Sequence, residues 1–113
     1  MSFRPPSSFA PTSSPTLLAL DYELQAEKAD ALGRAGRRVE LALEAVRQAK
    51  EQGADADVLG ALIEKAADLV WAFFIQREIC GFRSQAEAVE RYQIPRNVLI
   101  RVGAGIGRSQ SGT

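Results

Sequence analysis

Seven consecutive apolar residues, Leu69, Val70, Trp71, Ala72, Phe73, Phe74 and Ile75, form the centre of a proline-free stretch between Asp55 and Cys80. Asp55 or Asp57 suits the start of a helix there, where a carboxylate meets the positive end of the macrodipole, and Gly81 suits its stop. A helix that is apolar on its whole circumference has to be buried on its whole circumference. Seven residues fall far short of the roughly twenty that a membrane span needs, so the cover must be protein.

The first cover lies upstream. Residues 17–52 hold no proline and few β-branched residues, and Gly53 follows them. Ser14 or Thr16 can cap this helix, with Pro15 harmless in its first turn. The positions Leu18, Tyr22, Gln25, Ala29, Leu32, Gly36, Val39, Leu43, Val46 and Lys50 alternate spacings of four and three, the rhythm of a helix–helix seam. At 1.5 Å per residue the rod is about 54 Å long.

A two-residue link between the rods predicts antiparallel neighbours. The register inferred from rise and loop length sets Trp71 opposite Ala35, Phe73 opposite Gly33 and Phe74 opposite Leu32. Large rings would then face the smallest part of the first helix, where Ala26, Ala29, Gly33 and Gly36 share a face. A glycine inside a helix costs about 1 kcal/mol relative to alanine, so close packing at Gly33 and Gly36 would offset that cost. The plainer reading is that they bend or break the helix.

In this register the first helix overshoots the second by residues 17–25, which include Leu17, Leu18, Leu20, Tyr22 and Leu24. Short downstream helices could fold back over some of them. The far side of the second helix would still lack cover, and a symmetric homodimer, a bundle of four long helices, is the simplest remedy.

Downstream, Ser84-Gln85-Ala86-Glu87 has the form of a capping box and opens a short helix ending near Tyr92. Gln93 and Ile94 make a tight turn, and Pro95 opens a fourth helix expected to end at Gly103. Residues 84–102 therefore have the outline of a helix-turn-helix, with Arg96, Asn97 and Arg101 on the second helix, residue types that suit guanine and adenine edges. The outline is imperfect. Val89 stands where such motifs favour alanine, the turn lacks glycine, and the second helix has about two turns. A hairpin packed on the bundle accounts for the same pattern.

Charge and composition remove other classes. Lysine plus arginine and aspartate plus glutamate are 14 each, so no general basic field for nucleic acid exists. The last third is locally basic, with two acids and five bases over residues 81–113. There is no histidine and one cysteine, Cys80. Cys/His and Ser/His catalysis are thereby excluded, as are a histidine–cysteine zinc site and an internal disulfide. Cys80 also falls at a helix C-terminus, whose negative dipole end opposes the charge of a thiolate nucleophile. No metal, cofactor or membrane partner is expected, and no enzymatic activity. A reducing cytoplasm fits the cysteine usage, and no apolar leader follows Arg4.

Three polar features read as structural. Asp30 can pair with Arg34 on the surface beside Arg37 and Arg38, a cluster that could alternatively meet an anionic partner. Arg77, beside a core, needs an acid, and the register puts Asp30 or Glu27 within reach. Residues 103–107, Gly-Ala-Gly-Ile-Gly, lack the strand and helix that give a phosphate loop its geometry. Residues 1–16, with Pro5, Pro6, Pro11 and Pro15, read as a disordered Ser/Pro-rich arm. Residues 17–102 form the helical domain, and residues 103–113 a flexible Gly/Ser-rich tail.

Two segments, residues 31–40 (ALGRAGRRVE) and residues 76–83 (QREICGFR) followed by Tyr92-Gln93-Ile94-Pro95, resemble a family of small uncharacterised alphaproteobacterial proteins, a domain of unknown function. The resemblance spans about residues 20–103. It implies a bacterial cytoplasmic origin and carries over no catalytic residues. The expectation is an all-α chain, two long antiparallel helices plus a short C-terminal helical hairpin in a dimeric bundle. It would be a non-enzymatic self-associating interaction or scaffold protein with a protein partner, and a small DNA-binding regulator is the alternative.

Overall fold

The computed structural model describes the backbone of residues 15–111 and the side chains of residues 15–104. The expected arm lies outside the described residues as far as residue 14. Four helices follow one another: α1 (Pro15–Glu51), α2 (Ala56–Ile79), α3 (Ala86–Tyr92) and α4 (Arg96–Ser111). No strand occurs among the described residues.

Local chemistry sets the boundaries. Asp55 caps α2, its side chain accepting the Val58 N–H at 2.9 Å. Gly53 takes φ 72°, with its own N–H on the Lys50 carbonyl and that of Ala54 on the Ala49 carbonyl. This is the paired 5→2 and 6→1 closure of a Schellman cap. Gly81, at φ 98°, closes α2 in the same way through Glu78 and Arg77. At the end of α3 the left-handed residue is Gln93, φ 52°, which a side chain adopts at a cost of about 1 kcal/mol or more. Its neighbour Ile94 is buried in the core, which holds the turn in place.

Two boundaries differ from expectation. The Ser84–Glu87 capping box does not form. Ser84 Oγ accepts the Ala86 N–H at 3.3 Å, Gln85 occupies the cap position without a side-chain bond, and Glu87 turns to Arg77. Helix α4 runs through Gly103 to Ser111, so residues 103–107 are helical and form no loop. A glycine in a helix lacks side-chain support but retains its backbone hydrogen bonds, so it weakens a helix without ending it.

The core is one contiguous cluster. From α1 it takes Ala35, Val39, Ala42, Leu43 and Val46, and from α2 Ile63, Ala66, Ala67, Val70 and Phe73. Ala88, Ile94, Val98 and Val102 close it from the C-terminal side. The seam read from sequence is thus the packed face of α1 from Leu32 to Val46, and Lys50 at its C-terminal end is exposed. It does not continue into Leu18, Tyr22, Gln25 and Ala29, which are exposed.

Candidate functional site

Three elements come close together at Gly36. A Cβ there would lie 2.6 Å from Tyr92 Oη and 3.4 Å from Phe73 Cε1. The Phe73 and Tyr92 rings meet edge to face, centroids 5.1 Å apart. Gly36 is therefore small because α2 and the end of α3 converge on it. Gly33 has nothing within 4 Å of its Cβ position. The expected pairing of Phe73 with Gly33 is thus corrected by one helical turn. The link between α1 and α2 occupies residues 52–55, one residue longer at each end than the turn assumed, so its midpoint is unchanged and its length does not account for the offset.

The same shift relocates the aromatic groups. Phe73 is buried and Phe74 is half-buried against the core, but Trp71 is 42% exposed and does not face Ala35. Ile75 and Ile79 lie at four-residue steps from Trp71 and are exposed too. The all-round burial expected of this helix is not reached within one chain.

Arg77 is buried on α2, and its partners differ from those expected. Nε donates to Gln85 Oε1 at 2.9 Å, and Nη2 donates to the Ser84 carbonyl at 3.0 Å and to Glu87 Oε1 at 3.5 Å. Its guanidinium lies 4.7 Å from the centroid of the Phe82 ring and 5.9 Å from that of Phe73. Neither Asp30 nor Glu27 takes part, because the chain after Gly81 turns back across Arg77 and supplies carbonyl, amide and ring together. This arrangement ties the start of α3 to α2, and so places Tyr92 on Gly36. Gln85 Nε2 is left buried without a partner. Glu27 instead meets Arg34 at 3.4 Å on the surface, where Asp30 was expected.

The helix-turn-helix outline has little left to present. Arg101 Nη1 donates to Glu64 Oε2 of α2 at 2.6 Å, and Asn97 is partly buried with Oδ1 unsatisfied. Of the three residues proposed for base contact, Arg96 is exposed. Arg101 and Asn97 face the bundle because Val98 and Val102, on the same helix, are drawn into the core.

Residues 10–111 match the family model of a family of unknown function, DUF6665. The chain belongs to that family. No curated protein and no solved structure matches it. The match spans all four DUF6665 helices described above, including α4 to its last residue.

What this DUF6665 chain leaves open lies on the other side of α1. Cys80 Sγ donates to the Lys28 carbonyl at 3.6 Å, which marks where α2 ends alongside α1. Every residue from 15 to 27 is exposed, and Leu18, Leu20, Tyr22 and Leu24 range from 46 to 78%. The short helices do not fold back over this overhang, contrary to expectation, because Arg77 and Tyr92 hold them against α2. Further along, Leu41, Ala42 and Ala45 of α1 and Leu62 and Leu69 of α2 line a groove of about 300 Å³. The two charged groups in its lining, Arg38 and Lys65, are both cationic. No helix among the described residues is long and apolar enough to cross a membrane, and none of their His, Cys, Asp or Glu side chains gather as a metal-holding group of three or more.

Proposed function

We propose that the chain is a non-enzymatic interaction protein that works by self-association, its two long helices running antiparallel and contributing to a dimeric bundle. The Phe73–Gly36 and Cys80–Lys28 contacts support the antiparallel pairing, since a step down α2 corresponds to a step up α1. The observation that carries self-association is the overhang. Thirteen consecutive exposed residues make a helical segment that is marginal in water by itself, and most helical stability comes from burying an apolar face. The overhang carries five large apolar side chains at 45–78% exposure and extends about 20 Å beyond α2. Exposed apolar surface of this extent marks a protein-binding face. The half-buried thiol of Cys80 needs no oxidising compartment, in keeping with a cytoplasmic setting.

Light scattering coupled to size exclusion tests the reading. A mass of two chains, constant over a hundredfold range of loading concentration, is expected. A mass of one chain throughout would end it.

A further inference from the structure

A second seam runs along α1 that the fold does not use. Leu20, Leu24, Glu27, Ala31, Arg34, Arg38, Leu41 and Ala45 follow one another at spacings of four and three without interruption. The seam lies about a third of a turn around the rod from the one occupied by α2, on the 3.6-residue repeat. Its N-terminal end is the bare overhang, and its C-terminal end is the wall of the groove. We propose that the overhang of one chain lies in the groove of a second copy, reciprocally, with the two α1 helices antiparallel about a two-fold axis between Ala31 and Arg34. The inference rests on the self-association reading and names its surface.

Three independent features agree with this register. In size, it sets Leu20 against Ala45 and Leu24 against Leu41, so the leucines of the overhang reach a groove whose uncharged lining is leucine and alanine. In charge, residues 15–27 carry Asp21, Glu23 and Glu27 and no base, whereas the charges lining the groove are Arg38 and Lys65. Glu27 falls opposite Arg38 of the second copy, twice by symmetry, and among the described residues no carboxylate of its own chain pairs with Arg38. In extent, the shared stretch of 26 residues gives an overlap of about 39 Å. The polar residues at the middle of the seam act as they do in coiled coils. They cost stability, and they fix register and orientation, since a parallel pair would set Glu27 against Glu27. The resulting assembly has four long helices, α1 and α2 from each copy.

The test uses the full chain and two sets of substitutions. Leu20→Glu with Leu24→Glu places two acids per chain in the interface, while both side chains are exposed within one chain, so circular dichroism should retain the helical signal of the packed region from Leu32 onward. Sedimentation equilibrium should show a monomer. Glu27→Arg alone and Arg38→Glu alone should each raise the dimer dissociation constant at least about tenfold through like charges. An equimolar mixture of these two variants should recover a dimer, because each copy then presents the opposite sign to the other at both contacts. A wild-type monomer at every concentration overturns this inference and the self-association reading together. A wild-type dimer that survives the double leucine substitution, or a mixture that stays monomeric, overturns the inference alone and leaves the dimer to another face.

Discussion

The two halves of α1 are similar in helix-forming residues and opposite in circumstance. From Ala35 to Glu51 the rod has α2 along one side, and seven of its residues are buried. From Pro15 to Arg34 it has no fully buried residue at all. Two glycines three residues apart stand at the border. Gly36 is small because Phe73 and Tyr92 converge on it, and Gly33 faces open space. The same residue type in the same helix is therefore a packing requirement at one position and a helix weakness at the other. Helical periodicity alone does not separate the two, and what separates them is which neighbours the turns deliver.

The largest test of this contrast removes the ring that defines the packed half. Phe73→Ala takes away a buried aromatic group against Gly36, Tyr92 and the guanidinium of Arg77, and leaves a cavity in its place. A loss of about 3–5 kcal/mol is expected in urea unfolding monitored by circular dichroism. A loss below about 1 kcal/mol would mean that the two halves of α1 are less different than their burial indicates.

Much of this was legible beforehand, and the parts that were not share a cause. Asp55, Gly53 and Gly81 announced the ends of the long helices because caps depend on a few adjacent residues. The seam through Gly36, Val39, Leu43 and Val46 followed from periodicity. The choice between Gly33 and Gly36 depended on an axial offset of three residues between the two rods, which rise per residue and link length do not fix. The partners of Arg77 depended on the path of residues 81–85, whose backbone carbonyl at Ser84 is a ligand that no side-chain pattern reveals. Trp71 read as buried because its helix is apolar all round, although one chain has no wall left for that side. The groove charges Arg38 and Lys65 lie on different helices, so their proximity follows only from packing.

A sharper comparison asks whether Gly36 is constrained by one atom. In Gly36→Ala the new methyl meets Tyr92 Oη at 2.6 Å, and the ring has little freedom to withdraw because it packs edge-on against Phe73. Overpacking of this kind costs about 1–3 kcal/mol, against a gain of about 1 kcal/mol in helix propensity, so a net loss near 1 kcal/mol is expected. Tyr92→Phe removes the obstructing oxygen, and the remaining neighbours stand at 3.4 Å, an ordinary contact. The double variant should therefore be more stable than Tyr92→Phe alone, with a coupling of about 2 kcal/mol across the cycle. Additive effects would place the constraint in the backbone of α1 and not in the hydroxyl.

The smallest expected effect belongs to Gly33. Its Cβ position is open, it sits in the middle of a continuous helix, and its φ needs no special residue. By helical geometry it lies about a third of a turn from the α2 seam and from the proposed second seam, on a face shared with Asp30, Arg37 and Glu40. Gly33→Ala should therefore add helix propensity and disturb neither contact, raising stability by up to about 1 kcal/mol. In a domain of this size that corresponds to a thermal midpoint higher by about 4–8 °C. The sedimentation mass should stay unchanged. A lower midpoint would place a neighbour over Gly33, and since none of the described residues lies there, a second copy on the polar face would be the candidate. The proposed seam through Leu20 and Leu24 would then be the wrong side of the rod.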